Sequence, residues 1–305
     1  MTNSRFSLTL FFSITRLLSL ILMWSCLTLT VSATQKMTVE EVVRKHLESI
    51  GATEERASVK SRIVIGTTKF SYRVTKGVGK AEGTAVMASE GDRSLIGMNF
   101  PEADYPHERL GFDGKSFTTG FIRTGVRTVL GDFLYSHNDV FKEGLIGGSL
   151  TQTWALLNMA ERKPKLEYEG TKKINGKETY MLSYGLRKGS DFEIRLYFDS
   201  ATFQHVRSEY TQVIAPMIGQ TVSTLQGRPT ENSSRQRSTR YEMVEEFSDF
   251  KKESGLTLPH NYKFRLVIDN QGGARQFDWE LNLVQYNFNR PIPPDSFNVE
   301  AFKEQ

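Results

Sequence analysis

Two periodicities divide the chain. Val39, Val42, Val43, His46, Leu47 and Ile50 recur at three- and four-residue spacing, which predicts an amphipathic helix over 38–50. Thr38 stands at its N-cap with Glu41 three residues on, the capping-box spacing, and Gly51 suits its stop. From about residue 59 the period falls to two. Alternating runs occupy 59–74, 80–90, 93–100, 107–112, 116–122, 164–170, 178–186, 191–199, 204–213, 238–250, 259–269 and 275–288. Asp113-Gly114, Asn175-Gly176 and Asn270-Gln271-Gly272-Gly273 supply hairpin turns, and strands joined by such short turns must be antiparallel.

The alternation assigns faces. Phe192, Ile194, Leu196 and Phe198 oppose Glu193, Arg195 and Tyr197; Tyr262, Phe264, Leu266 and Ile268 oppose Lys263 and Arg265; Phe277, Trp279, Leu281 and Leu283 oppose Asp278, Glu280 and Asn282. About ten such strands must curl, and their apolar face needs a cover. The expected cover is 129–160, where the pattern breaks. Leu130, Phe133 and Leu134 form one helical patch, and Leu150, Trp154 and Leu157 form another, with Ser149 as its cap. Three glycines in Glu143 to Gly148 make either a hinge or a tight turn between the patches. The fold class expected is therefore mainly β (α+β), a curled antiparallel sheet covered by helices. The stretch 214–240 is polar and basic from Gln226 on, and reads as a long surface loop or as a contact for anionic lipid headgroups or an acidic partner.

Composition adds an address. Residues 1–33 read as a secretory signal: Arg5 and Arg16 are its only charges, Leu17 to Thr30 is almost continuously apolar, and Val31-Ser32-Ala33 is a small-x-small cleavage site. An uncleaved anchor, or lipid attachment at Cys26, remains the alternative. Cleavage after Ala33 would remove the single cysteine, and with it disulfides, thiolate metal sites and cysteine nucleophiles. Lys+Arg would fall from 39 to 37 against 35 Asp+Glu, a net charge of about +2, which gives no case for nucleic acid. The remainder, 34–305, is expected to be one domain in the periplasm.

Catalytic signatures such as G-x-S-x-G, a P-loop and H-E-x-x-H are missing from the sequence. His46, His107, His137, His205 and His260 are scattered. His107-Glu108 and His137-Asn138-Asp139 are the nearest approaches to metal ligands, and Asp191, Glu193 and Asp199 to an acid–base pair; solvated side chains explain all of them. The alternation shows no polar cluster inside the sheet. No enzyme activity and no cofactor are expected.

Several local features resemble the outer-membrane lipoprotein carriers of the LolA/LolB type. They are Val59-Lys60-Ser61-Arg62 after the first helix, Gly83-Thr84-Ala85-Val86, the Phe112-Asp113-Gly114-Lys115 hairpin, and Phe247-Ser248-Asp249-Phe250 followed by Gly255-Leu256-Thr257-Leu258-Pro259. Asn287 and Phe297-Asn298-Val299 resemble the family's last strand. The chain departs from the family in its length and in the 214–240 insertion. The resemblance implies an incomplete barrel with a helical lid, whose cavity shelters acyl chains of lipids or lipoproteins on their way to the outer membrane, with inner- or outer-membrane proteins as transfer partners. Related half-barrels serve as envelope-stress sensors, the alternative function. Arg62 is the nearest counterpart of the family's lid-gating arginine. The ligand-lining candidates are Ile63, Ile65, Phe112, Phe133, Leu134, Leu150, Trp154, Leu157, Phe192, Ile194, Leu196, Phe198, Phe264, Leu266, Trp279 and Leu281, with the insert's members competing with ligand for the sheet.

Overall fold

Thr38 accepts a hydrogen bond from the Glu41 amide at 3.2 Å and so starts α1, Val39–Ile50, whose Val42, Val43, His46 and Ile50 are buried. Its outer face carries the ion pairs Arg44–Glu48 and Lys45–Glu41. A short α2, Thr53–Ser58, follows. The structure is a computed structural model, and it describes residues 37–186, 190–215 and 238–301. The signal at 1–33 and all but the ends of the 214–240 loop lie outside those residues.

Twelve strands then form one antiparallel sheet: β1 Ser61–Val74, β2 Gly77–Glu90, β3 Arg93–Asn99, β4 His107–Phe112, β5 Phe117–Thr119, β8 Lys165–Ile174, β9 Lys177–Gly185, β10 Glu193–Asp199, β11 His205–Ile214, β12 Thr239–Glu253, β13 Leu256–Asn270 and β14 Gly273–Phe288. A separate hairpin joins β6 Phe121–Arg123 to β7 Val126–Arg127. The order across the large sheet is β5-β4-β3-β2-β1-β14-β13-β12-β11-β10-β9-β8. It does not close, so it is the curled antiparallel sheet that alternation and turns predict and the incomplete barrel that the resemblance implies.

That order dictates where the cover lies. The chain walks outward from β1 to one edge at β5, then resumes at the opposite edge with β8 and walks back until β14 pairs with β1. Residues 120–164 must therefore cross from one edge of the sheet to the other. This insert holds the β6–β7 hairpin, α3 Val129–Ser136, α4 Asp139–Lys142, two short 3-10 turns and α5 Met159–Arg162.

Two expectations fail here. The second helical patch is not a helix: 148–150 and 155–158 are separate 3-10 turns, and Trp154 between them is non-helical, with φ −46° and ψ 122°. Thr151 and Thr153 are β-branched and stiff in this stretch, and Ser149 caps nothing, its side chain lying within the first turn. Likewise Phe297-Asn298-Val299 is no strand. The last strand ends at Phe288, Asn289 turns the chain at φ +55°, and 294–301 coil through two 3-10 turns that bury Phe297 against Ala88 and Ile292.

Candidate functional site

On the covered face, strand registers align Ala81, Phe70, Trp279, Phe264, Glu245 and Ser208 in one row across six strands. Its rings touch: Phe70 and Trp279 are 5.2 Å apart, Trp279 and Phe264 4.7 Å and stacked. The neighbouring row brings Tyr262 and Leu281 together, and the next brings Leu266 opposite Phe277. Ile194, Leu196 and Phe198 continue this face on β10, where a bulge after Tyr197 leaves Tyr197 and Phe198 both buried.

One residue away, on the other face, Arg207, Glu246, Lys263, Glu280, Lys69 and Glu82 face one another in alternating sign across the same strands. They line an open groove of about 380 Å³. Arg207–Glu246 (2.5 Å), Lys263–Glu280 (3.1 Å) and Lys69–Glu82 (3.8 Å) satisfy each other's charge. Such pairs keep a sheet face wet and in register, and offer a ligand nothing unmatched.

The insert covers the apolar face. Leu130, Phe133, Leu134, Leu150 and Trp154 are all buried. Phe133 meets Tyr241 and Phe192, with ring centroids 5.5 and 6.0 Å away. Phe192 lies just before β10, half-buried, and His137 stacks edge-on against it at 4.9 Å. Phe112 occupies a row with Phe117, Ser94, Ser89 and Arg62, and Phe117 touches Phe141 of α4 at 4.9 Å.

Three candidates are misplaced by the sequence reading. Ile63 and Ile65 point to the face opposite Val64 and Phe70: Ile63 packs on Ala88, Ile292 and Phe297, while Ile65 is 38% exposed. Ile63-Val64-Ile65 is apolar on both sides, so alternation is silent there, and only Thr68 and Phe70 further along fix the face. Leu157 is half-buried at the rim of a pocket, and its neighbour Leu156 takes the buried place because the helical register breaks at Trp154.

Polar anchors fasten the insert, and alternation hid most of them. Glu245, fully buried on β12, accepts hydrogen bonds from the Tyr262 hydroxyl (2.6 Å), the Tyr210 hydroxyl (2.6 Å) and the Gly147 amide of the insert (2.8 Å). Burial raises its carboxyl above the usual range, against the pull of those donors. A polar cluster thus exists inside the sheet, contrary to the reading of alternation, because Glu245 and Glu246 are adjacent acids on opposite faces. The Gln152 amide donates to Ser89 Oγ at 2.8 Å. The Trp154 indole N–H donates to His46 Nε2 at 3.0 Å, so His46 carries its proton on Nδ1, which faces the Phe203 carbonyl at 3.0 Å. Burial lowers His46 to about 4. His205 stacks on Trp154 at 4.8 Å, and burial holds it well below its ordinary value too.

The glycines between the patches make a tight, left-handed turn. Gly144 has φ +72°, and a Cβ there would meet the Thr153 carbonyl at 1.7 Å; Gly148 has φ +47°, and its Cβ would meet His205 Nδ1 at 2.8 Å. At the other end, Thr128 caps α3 through the Gly131 amide (2.8 Å) and donates to Glu108 Oε1 at 2.6 Å. Tyr105 donates to Glu108 Oε2 at 2.8 Å and accepts from the Trp279 indole at 2.9 Å. Burial pushes Glu108 up to about 7. Glu193 pairs with Arg195 at the surface, and Asp199 accepts the Ala201 and Thr202 amides of a turn, so the acid pair considered from sequence does not assemble.

Arg62 is 2% exposed. Its Nη1 donates to the Ser149 carbonyl of the insert at 2.5 Å, and its guanidinium lies over Phe288 at 5.7 Å. It also lines a pocket of about 370 Å³ bounded by α1, α2 and the end of the insert.

No family model matches the chain, and no curated protein matches it. Among solved structures it is similar to a DUF1329 family protein from Desulfovibrio piger, at 12% identity over 87% of this chain and 99% of that one, with a TM-score of 0.47. It is also similar to an outer membrane lipoprotein-sorting protein domain from Vibrio parahaemolyticus (12% identity, 85% and 98% covered, TM-score 0.41). A LolA superfamily protein from Nitrosomonas europaea gives 12% identity, 87% and 99% covered, and a TM-score of 0.40.

Proposed function

We propose that the chain is a non-enzymatic periplasmic carrier that shelters acyl chains of a lipid or lipoprotein on the apolar face of its sheet during transfer to the outer membrane. In this reading 1–33 direct export, 34–305 form the carrier, and the insert is the cover that ligand displaces. Each buried methylene contributes about 0.8 kcal/mol, so bare apolar strands would hold long chains almost irreversibly. A carrier needs a competing cover of its own. The observation that carries the reading is the insert's route: it runs from one sheet edge to the other and sets Leu130, Phe133 and Leu134 over the sheet, fastened partly through its backbone by Arg62 and Glu245. Backbone anchors of this kind hold a segment in place without needing a matched side chain on it.

Native mass spectrometry of the mature protein, purified from its own envelope without detergent exchange, tests the proposal. Co-purified lipid or acylated protein is the expected result. A clean apo mass, or a stoichiometric protein partner without acyl chains, would favour an envelope sensor and overturn the carrier.

A further inference from the structure

Arg62 is electrostatically unusual. A guanidinium removed from water costs several kcal/mol unless it is paired. Arg62 has one backbone carbonyl, Ser149 O, and the Phe288 ring; its Nε is buried with no hydrogen-bond partner among the described residues. Burial lowers it only to about 10, so it stays charged at neutral pH. Buried donors in native proteins are nearly always satisfied, and an orphaned one calls for a specific cause.

The pocket that Arg62 lines suggests the cause. Its lining includes Arg56 and Lys60 and contains no carboxylate. Arg56 spends its Nη1 on the Leu47 and Gly51 carbonyls at the end of α1, and Lys60 donates to the Ala57 carbonyl; among the described residues neither they nor Arg62 form an ion pair. Leu157, Ile50 and Leu256 supply an apolar wall beside these cations. Ser149 belongs to both the pocket and the insert, so whatever binds Arg62 here competes with the bond that ties the insert down.

We propose that this pocket receives the anionic headgroup, phosphate or carboxylate, of the acyl-bearing ligand, and that the headgroup takes the Arg62 guanidinium from the Ser149 carbonyl. The inference rests on the carrier reading and names the class of ligand. The Ser149 carbonyl is neutral, whereas an anion brings a full opposite charge to the buried guanidinium, so the exchange favours the ligand. A planar guanidinium can also engage a phosphate or carboxylate bidentately, which one carbonyl cannot exploit. Headgroup binding then loosens one end of the insert, while an uncharged molecule with the same chains leaves the Arg62–Ser149 bond in place.

The test titrates the mature protein with three probes: dioctanoyl phosphatidic acid below its micelle threshold, dioctanoylglycerol, and inorganic phosphate. Phosphatidic acid is expected to bind at least about tenfold more tightly than the diacylglycerol, a typical effect of one buried charge contact. Arg62→Gln should reduce that preference to about threefold or less. Lys60 is exposed, so Lys60→Glu keeps the fold; it should cut the preference roughly threefold and decides the matter if Arg62→Gln does not fold. Equal binding of the two lipids overturns the headgroup site and leaves the carrier standing. Binding of neither overturns both. Phosphate that binds through Arg62 but is not displaced by phosphatidic acid marks a free-anion site and overturns the lipid assignment.

Discussion

The two halves of the insert are buried on the same sheet by different physics. The front half, through α3 and α4, is held mainly by shape: Leu130, Phe133, Leu134, Val140 and Phe141 are buried, and its aromatic neighbours are Tyr241, Phe192 and Phe117. Its ties to strand side chains lie at its two ends: the Thr128–Glu108 hydrogen bond at its start, and the Tyr184 hydroxyl donating to Glu143 Oε2 at 3.0 Å just after α4. The rear half is held by direction. The Gly147 amide reaches Glu245, the Ser149 carbonyl reaches Arg62, the Gln152 amide reaches Ser89, and the Trp154 indole reaches His46. Hydrocarbon can replace van der Waals contacts almost indifferently, but it cannot replace a hydrogen bond to a buried polar group without leaving that group unpaired. The front half is therefore the part an acyl chain can displace, and the rear half is its mooring. Of the rear bonds, those of Arg62 and Gln152 border the cationic pocket, and an anion there can substitute for the Ser149 carbonyl on Arg62.

The largest effect should come from the mooring. Trp154→Ala empties a fully buried site and strands His46 Nε2, and should lower stability by about 4 kcal/mol in urea unfolding. A loss under about 1 kcal/mol would show that the rear half lifts off as readily as the front and would erase the distinction. Next in size is a pH effect at the start of the front half. The Glu108 carboxyl rises from its ordinary 4.5 to about 7, chiefly through burial. Between those values the folded protein keeps a proton that the unfolded chain has lost, so stability falls as pH rises through that window, by roughly 3 kcal/mol in all. His46, lowered to about 4, works in the opposite sense: its contribution is intact above its ordinary 6.5 and is lost as pH falls toward 4. The informative quantity is thus the difference between wild type and Glu108→Gln. Urea midpoints of the variant at pH 5 and pH 8 should lack the decline that Glu108 imposes on the wild type. Parallel profiles would remove Glu108 from the account.

Much of this fold is legible in the sequence, and its failures share a cause. Strand positions and antiparallel pairing follow from period-two runs and turns such as Asn175-Gly176, where Asn175 takes φ +50° and Gly176 φ +81°. Faces are legible wherever one side is charged, as in Lys263, Arg265 and their apolar neighbours. They are illegible in Ile63-Val64-Ile65, where both sides are oily, and in Glu245-Glu246, where both are acidic. The insert was visible as a break in alternation, yet its rear half was misread as a helix because Leu150, Trp154 and Leu157 have helical spacing. Its conformation is set by partners far along the chain: Gly147 and Glu245 are 98 residues apart, Trp154 and His46 108. Local pattern carries no record of such pairs. The resemblance singled out Arg62, but neither its burial nor its orphaned Nε was readable from a residue followed by apolar neighbours on both faces.

The smallest stability effect should be the most discriminating. Phe133 is 5% exposed, and a permanent core phenylalanine replaced by alanine costs about 3–5 kcal/mol. If the front half opens on its own, that cost is not fully felt in global unfolding. Once the closed state has been weakened below the open one, further loss of closed-state contacts no longer changes the distance from the folded ensemble to the unfolded chain. With an opening free energy of about 1.5 kcal/mol, Phe133→Ala should lower global stability by no more than about that amount. It should also raise the open fraction from nearly one in ten toward unity, tightening the apparent affinity for an acyl probe by up to about tenfold. The two measurements constrain each other, since the same opening free energy caps both. A full loss of 3 kcal/mol or more, with probe affinity unchanged, would make Phe133 as fixed as Trp154 and would leave the sheet with no part of its cover to exchange for a lipid chain.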